Sequence, residues 1–193
     1  MKRLTYILSL SLCLLLTLTV LAGCDSNEVD ADNESHVQIL LTDAPADFVE
    51  ANVLIERVEL IGEDDRVILL ADEPQPFDLL TLQDGITATL VDEDIPNGTY
   101  TQIRVIVDEE AFVLFDDGTT ETLKIPSGSQ TGIKMNLPVL DIDDDLIIVT
   151  IDFDVTESFV KRGNSGKGYI FKPVIKPLSI TINGDDVVMD DEL

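Results

Sequence analysis

The stretch Thr99–Asp108, "TYTQIRVIVD", decides the fold class. Ile103, Val105 and Val107 fall on one side of an extended chain, and Gln102, Arg104 and Asp108 on the other. Side chains of a strand alternate with a period of two, whereas a helix repeats after about 3.6 residues. "LIIVTIDFD" (Leu146–Asp154) repeats the alternation, setting Ile147, Val149, Ile151 and Phe153 against Ile148, Thr150, Asp152 and Asp154. "PLSITIN" does so again through Leu178, Ile180 and Ile182. Further strand-like runs are Val37–Leu41, Asn52–Ile61, Arg66–Leu70, Phe77–Leu79, Ala111–Phe115, Thr119–Ile125 and Tyr169–Phe171. Asp117-Gly118 between two such runs signals a hairpin, and Asn97-Gly98 precedes another strand. Pro74, Pro76, Pro96, Pro126 and Pro138 are expected at strand edges or loops, where a missing amide proton does least harm. Many short strands at near-regular spacing predict an all-β fold, an antiparallel β-sandwich of immunoglobulin-like or transthyretin-like type. A short helix is expected only around Leu79–Leu90.

Upstream of these strands the chain reads as a targeting segment. Met1-Lys2-Arg3 is a basic start, Leu4–Val20 is almost wholly apolar, and small residues follow at Ala22 and Gly23, the layout of a secretory signal. The apolar run approaches the roughly 20 residues of a bilayer-spanning helix, so length alone leaves a retained anchor open. Leu21-Ala22-Gly23-Cys24 decides for export, because it resembles the lipobox of bacterial lipoproteins. That resemblance implies cleavage between Gly23 and Cys24, a diacylglycerol thioether on the Cys24 thiol and acylation (palmitate or a similar chain) of the new amino terminus. Several acyl chains anchor stably where one binds only marginally.

The expected organisation is a lipoprotein signal peptide (1–23), lipidated Cys24 with a flexible acidic tether (24–35), one β-sandwich domain (36–188) and a frayed tail (189–193). "DSNEVDADNES" (Asp25–Ser35) carries five acids and almost nothing apolar, too little to order itself. Asp25 resembles an inner-membrane retention signal, while the acidic run resembles a surface-export signal. The run uses more of the tract, so the outer membrane or cell surface of a bacterial envelope is favoured over the inner membrane. Of the two cysteines, Cys13 leaves with the signal and Cys24 is lipidated, which excludes disulfides, thiol catalysis and cysteine zinc sites in the mature domain.

With Lys2 and Arg3 removed, 38 acids stand against 10 Lys plus Arg, a net charge of −28. Such a charge excludes nucleic acid as a partner and disfavours docking on an anionic membrane face. Solubility or a salty habitat explains it most simply. Lys161, Arg162, Lys167, Lys172 and Lys176 gather around "RGNSGKGY". They form a positive patch for an anionic ligand or an acidic partner, or, more plainly, neutralise nearby carboxylates.

"LLTDAPADF" (Leu40–Phe48), "FDLLTLQDGITATLVDEDIPNGTYTQIRV" (Phe77–Val105), "IPSGSQTGIKM" (Ile125–Met135), "IDFDVTESFV" (Ile151–Val160) and "YIFKPVIKPL" (Tyr169–Leu178) together resemble the successive blocks of the bacterial and archaeal domain-of-unknown-function family 4382. The middle block is also similar to transthyretin-like sandwich domains exposed to carbohydrate, where a Gly-x-Tyr, here Gly98-Thr99-Tyr100, opens a strand. The resemblance implies the sandwich and carries no catalytic residue with it.

The residues themselves hold few candidates for chemistry. His36, the one histidine, is far in sequence from any Ser or Asp cluster, so a Ser-His-Asp arrangement has little to build on, and it reads as a strand-edge residue. "GNSGKGY" fails the phosphate-loop spacing because Tyr169 follows Gly168, and reads as a hairpin loop. Lys134 in "TGIKMNL" could hold an anion, although such loops are more often plain connections. Asp141, Asp143, Asp144 and Asp145 supply the oxygens a calcium ion prefers, but the Gly and Glu of the calcium-loop pattern are missing. Asp141, Asp143 and Asp145 are the calcium candidates, and a solvated loop is the plainer reading. No other cofactor is implied. Asp152 and Asp154 could serve as the paired carboxylates of a glycosidase. The expected function is a membrane-anchored, non-enzymatic binding or structural module for a protein or polysaccharide partner. The alternative is an envelope hydrolase using Asp152 and Asp154, with or without calcium.

Overall fold

Strict alternation produces the cleanest strand of the molecule. In β10 (Leu146–Phe153) Ile147, Val149, Ile151 and Phe153 are buried, with Ile151 and Phe153 fully so. The computed structural model describes residues 34–43, 46, 48–124, 132–143, 145–161 and 168–189. The signal, Cys24, Asp144 and the residues 162–167 of the basic loop lie outside them. The preceding elements are β1 (Glu34–Thr42), β2 (Glu50–Gly62), β3 (Val67–Ala71), β4 (Gln75–Asp78), a 3-10 turn (Leu79–Leu82), β5 (Ala88–Pro96), β6 (Gly98–Val107), β7 (Glu110–Leu114), β8 (Thr120–Lys124) and β9 (Ile133–Ile142). After β10 come α1 (Val155–Ser158), β11 (Phe159–Lys161), β12 (Tyr169–Phe171), β13 (Ile175–Ile182) and β14 (Asp185–Asp186).

The strands form a sandwich. One sheet has the order β14-β13-β10-β1-β5, the other the order β8-β7-β2-β6-β9. Long β2 carries β7 and β6 along one edge and β4 and β3 along the other, since Asn52 pairs with both Phe112 and Asp78 and Ile55 with both Val107 and Gln75. Ile39, Leu41, Ile147, Ile151 and Ile180 of the first sheet share one core with Val53, Ile55, Ile103 and Val105 of the second. Each such side chain contributes roughly 1.5–3 kcal/mol by leaving water. The ladders are antiparallel except β1–β10, which is parallel, with His36 opposite Leu146 and Thr42 opposite Asp152. Nothing in the periodicity of either strand distinguishes the two senses of pairing.

Several expectations are corrected. No helix spans Leu79–Leu90: the 3-10 turn ends at Leu82, and Ala88 already starts β5. Lys134 is not in a loop, because it belongs with its neighbours to edge strand β9, which has Pro138 inside it. Leu178 does not share the buried face of Ile180. It is the extra residue of a bulge in which Thr150 pairs with Ser179 and Ile151 with Pro177, and it points to solvent at 58% exposure. A second bulge, between Tyr100 and Gln102, changes the phase of β6 and turns Tyr100 inward with Ile103. Ile106, on the opposite face, is covered by Gly132, where any Cβ would fall 3.2 Å from the Ile106 Cγ1.

Candidate functional site

The two ends of the sandwich differ in chemistry. At the end where β1 begins, three turns meet: β5–β6, β9–β10 and β13–β14. Ser35, buried, donates to the Asn97 side-chain oxygen at 2.7 Å, and its hydroxyl accepts the Asp145 N–H at 3.0 Å. Asn97 Nδ2 donates to Asp143 Oδ1 at 2.9 Å, and Thr99 Oγ1 to Asp141 Oδ1 at 3.4 Å. Asn183 Nδ2 donates to Asp145 Oδ1, while Asp145 Oδ2 accepts the Asp143 N–H at 3.0 Å. The calcium candidates Asp141, Asp143 and Asp145 are thus brought to one end but engaged by neutral donors of the neighbouring turns. Among the described residues no three His, Cys, Asp or Glu side chains form a group able to hold a metal ion. Beside this clasp, Glu63, Asp64, Arg66 and Thr99 line a cleft of about 420 Å3, with the Arg66 guanidinium 5.8 Å above the Tyr100 ring.

The opposite end is built from corners capped by carboxylates. Buried Asp43 follows β1 and accepts the Val155 N–H at 3.1 Å, tying β1 to α1. Asp78 accepts the N–H groups of Ala51 and Leu80. Asp154 caps α1 by accepting the Glu157 N–H at 2.8 Å and pairs with Lys176 at 3.3 Å. Asp152 sits in β10 between Thr42 and Lys176 of the adjacent strands. The expected pair is therefore separated: Asp152 lies within β10, whereas Asp154 has left the strand as the cap of α1 and the ion-pair partner of Lys176.

Of the expected basic patch, Lys176 is neutralised by Glu157 and Asp154, whose hydrogen bonds hold its ammonium above the usual lysine range. Lys161 and Lys172 are exposed. β11 and β12 pair antiparallel around the residues 162–167. Beneath them the rings of Phe48, Phe115, Phe159, Tyr169 and Phe171 pack with centroids 5.1–5.8 Å apart. Six of the ten Phe and Tyr residues, these five and Phe153, meet here. Sequence spacing could not reveal this, because they come from five separate segments.

His36 has a fuller role than that of a strand-edge residue. It lies in β1, one strand in from the sheet margin. Its Nδ1 is 2.7 Å from Asp94 Oδ1 and its Nε2 2.6 Å from Asp92 Oδ1. The hydrogen bonds to Asp94 and then Asp92 raise the histidine pKa above its ordinary value. Glu59 is another residue that sequence reading missed: buried on β2, it pairs with Arg57 at 2.9 Å and with Arg104.

A family model described as "Domain of unknown function (DUF4382)" matches residues 34–173. The chain belongs to the DUF4382 family. No curated protein and no solved structure matches it. The DUF4382 match begins at Glu34, the first residue of β1, and stops after β12, although β13 beyond it completes the sheet against β10. Three of the sequence blocks that resemble DUF4382 contain the capping acids Asp43, Asp78 and Asp154. Their carboxylates close the corners between elements.

Proposed function

We propose that this DUF4382 protein is a lipid-anchored envelope lipoprotein whose β-sandwich is a non-enzymatic binding or structural module for a protein or polysaccharide partner. The observation that carries this reading is the succession Leu21-Ala22-Gly23-Cys24, an acidic spacer, and a sandwich whose first strand starts at Glu34. Lipid on Cys24 would hold the β1-start end of the domain towards the membrane. That end is rich in carboxylates, and anionic headgroups repel it. The end carrying Lys161, Lys172 and the aromatic cluster would then face outward, and the outer membrane or cell surface suits such a display. The engagement of Asp154 as cap and ion-pair partner supports a structural rather than hydrolytic use of that acid.

Growth with a radiolabelled or alkyne fatty acid should label the wild-type chain, and Cys24→Ser should lose the label and accumulate with the signal attached. Persistent labelling of Cys24→Ser would remove the anchor from the reading. Cross-linking in intact cells followed by pull-down should recover a defined partner. Protease shaving of whole cells should degrade the domain if it is displayed outside, and survival of the intact domain excludes surface display.

A further inference from the structure

A groove runs along one open side of the sandwich, between edge strand β5 and the β3–β4 connection. It encloses about 440 Å3, within the range of roughly 300–1,000 Å3 typical of ligand clefts. Leu70, Leu90 and Val91, all buried, make its apolar part, while Asp72, Glu73 and Glu93 stand exposed around it. None of these three carboxylates has a partner among the described residues.

Three features point to an occupant. First, β5 pairs only with β1 among the described residues, so its second backbone edge carries no strand. That edge faces the groove: the Leu90 carbonyl accepts from Gln75 Nε2 at 3.2 Å across it, a side-chain bond that an incoming main-chain N–H would replace. Second, an exposed strand edge recognises an extended peptide through main-chain hydrogen bonds, with alternate side chains dropping into apolar recesses. Third, Glu93 shares the face of buried Val91 and Ile95, yet is exposed where the groove opens. An inward-pointing charge on an edge discourages indiscriminate pairing, and the strand that can pair is one bringing a cation. A polysaccharide lacks the regularly alternating main-chain N–H and C=O groups that pair with a strand edge. A second copy would bring an identical acidic groove on a chain of net charge −26.

We propose that the groove between β5 and the β3–β4 connection binds an extended cationic peptide segment of a partner protein, added as a strand to β5. The proposal rests on reading the domain as a binding module and specifies the partner's chemistry.

The probe is a short synthetic peptide of alternating Lys and Val, titrated into the soluble domain at roughly 0.15 M salt, with amide NMR and calorimetry as readouts. A peptide of the same sequence and charge, N-methylated at alternate amides, is the control. Shifts should concentrate at Thr89–Asp94 and Leu70–Gln75, and the N-methylated peptide should bind at least about tenfold more weakly, roughly 1.4 kcal/mol. Glu73→Gln combined with Glu93→Gln should weaken the unmodified peptide several-fold without lowering the unfolding temperature, since it removes two like charges from an acidic chain. Equal binding of both peptides, or shifts spread over the acidic surface, would reduce the effect to general electrostatics and overturn the proposal. So would absence of binding, or concentration-dependent shifts at β5 without peptide, which would mean self-association. If the peptide fails while cellular cross-linking still yields a partner, this groove is wrong and the binding module stands.

Discussion

His36 is held between Asp94 and Asp92 through both ring nitrogens, an arrangement that two ionised carboxylates satisfy only when the ring is protonated. Because its folded pKa is raised above 6.5, the stability it contributes is fully present below that value and is lost as pH rises through the raised one. The ring is 43% exposed, so the contribution should stay below about 1 kcal/mol after screening. NMR titration of this single histidine should give a midpoint above 6.5, and His36→Gln should lower the unfolding temperature at pH 6 but not at pH 9. A midpoint at or below 6.5 would show that the carboxylates do not hold the ring. Asp43 is a different case: buried, it accepts the Val155 N–H at 3.1 Å. Asp43→Ala leaves that donor without its acceptor and should cost about 1–3 kcal/mol in urea unfolding. Gly98 adopts φ 155°, a backbone conformation that L side chains rarely take, while a Cβ there would displace only the movable end of the Arg66 side chain, 2.8 Å away. Gly98→Ala should therefore destabilise by about 1–3 kcal/mol, measured by thermal unfolding. Little of this residue-scale detail was legible beforehand. His36 and Asp92 are 56 positions apart and Asp43 and Val155 112, and no spacing rule links residues whose strands merely end up adjacent.

Among the elements, the alternating runs were readable because burial on one side imposes the period of two. β10 follows the pattern throughout. Where the reading failed, a bulge intervened: Leu178 obeys the alternation of β13 in sequence but is the residue left over in its pairing with β10. This gives a paired prediction in denaturant unfolding. Ile180→Ala, at a site 1% exposed, should cost about 2–5 kcal/mol. Leu178→Ser should stay within about 0.5 kcal/mol of wild type. A large loss for Leu178→Ser would restore that residue to the core. β5 escaped for a related reason. Its bulge sets Leu90 and Val91 side by side as buried residues, followed by exposed Asp92, Glu93 and Asp94, so neither helical nor strand periodicity stands out. In β9, Pro138 and a nearby irregularity in the pairing with β6 disguise a strand that sits at the sheet margin, where a missing amide proton is tolerated.

At the scale of the whole molecule, charge dominates. A chain of net charge −26 repels itself, so NaCl should raise the unfolding temperature. Calcium at matched ionic strength should raise it by the same amount, because Asp141, Asp143 and Asp145 already accept hydrogen bonds from the turns around them. A calcium shift beyond the NaCl control, reversed by EDTA, would establish a cation site instead. Asp152→Asn and Asp154→Asn should leave partner binding unaltered, with Asp154→Asn losing only part of its cap on α1; loss of a hydrolytic activity in either variant would favour the hydrolase reading. By itself the sequence determined that the domain is a β-sandwich, because alternating burial is a local property of each strand. It also determined membership of the DUF4382 family, since ordered blocks along the chain suffice for that. Only the tertiary structure decided that β1 and β10 run parallel, that the aspartates of the β9–β10 turn serve a clasp with Asn97 and Asn183, and that β5 leaves an edge open beside an acidic groove. Those outcomes depend on which strands become neighbours, which is fixed by packing across the whole core and not by any single stretch of chain.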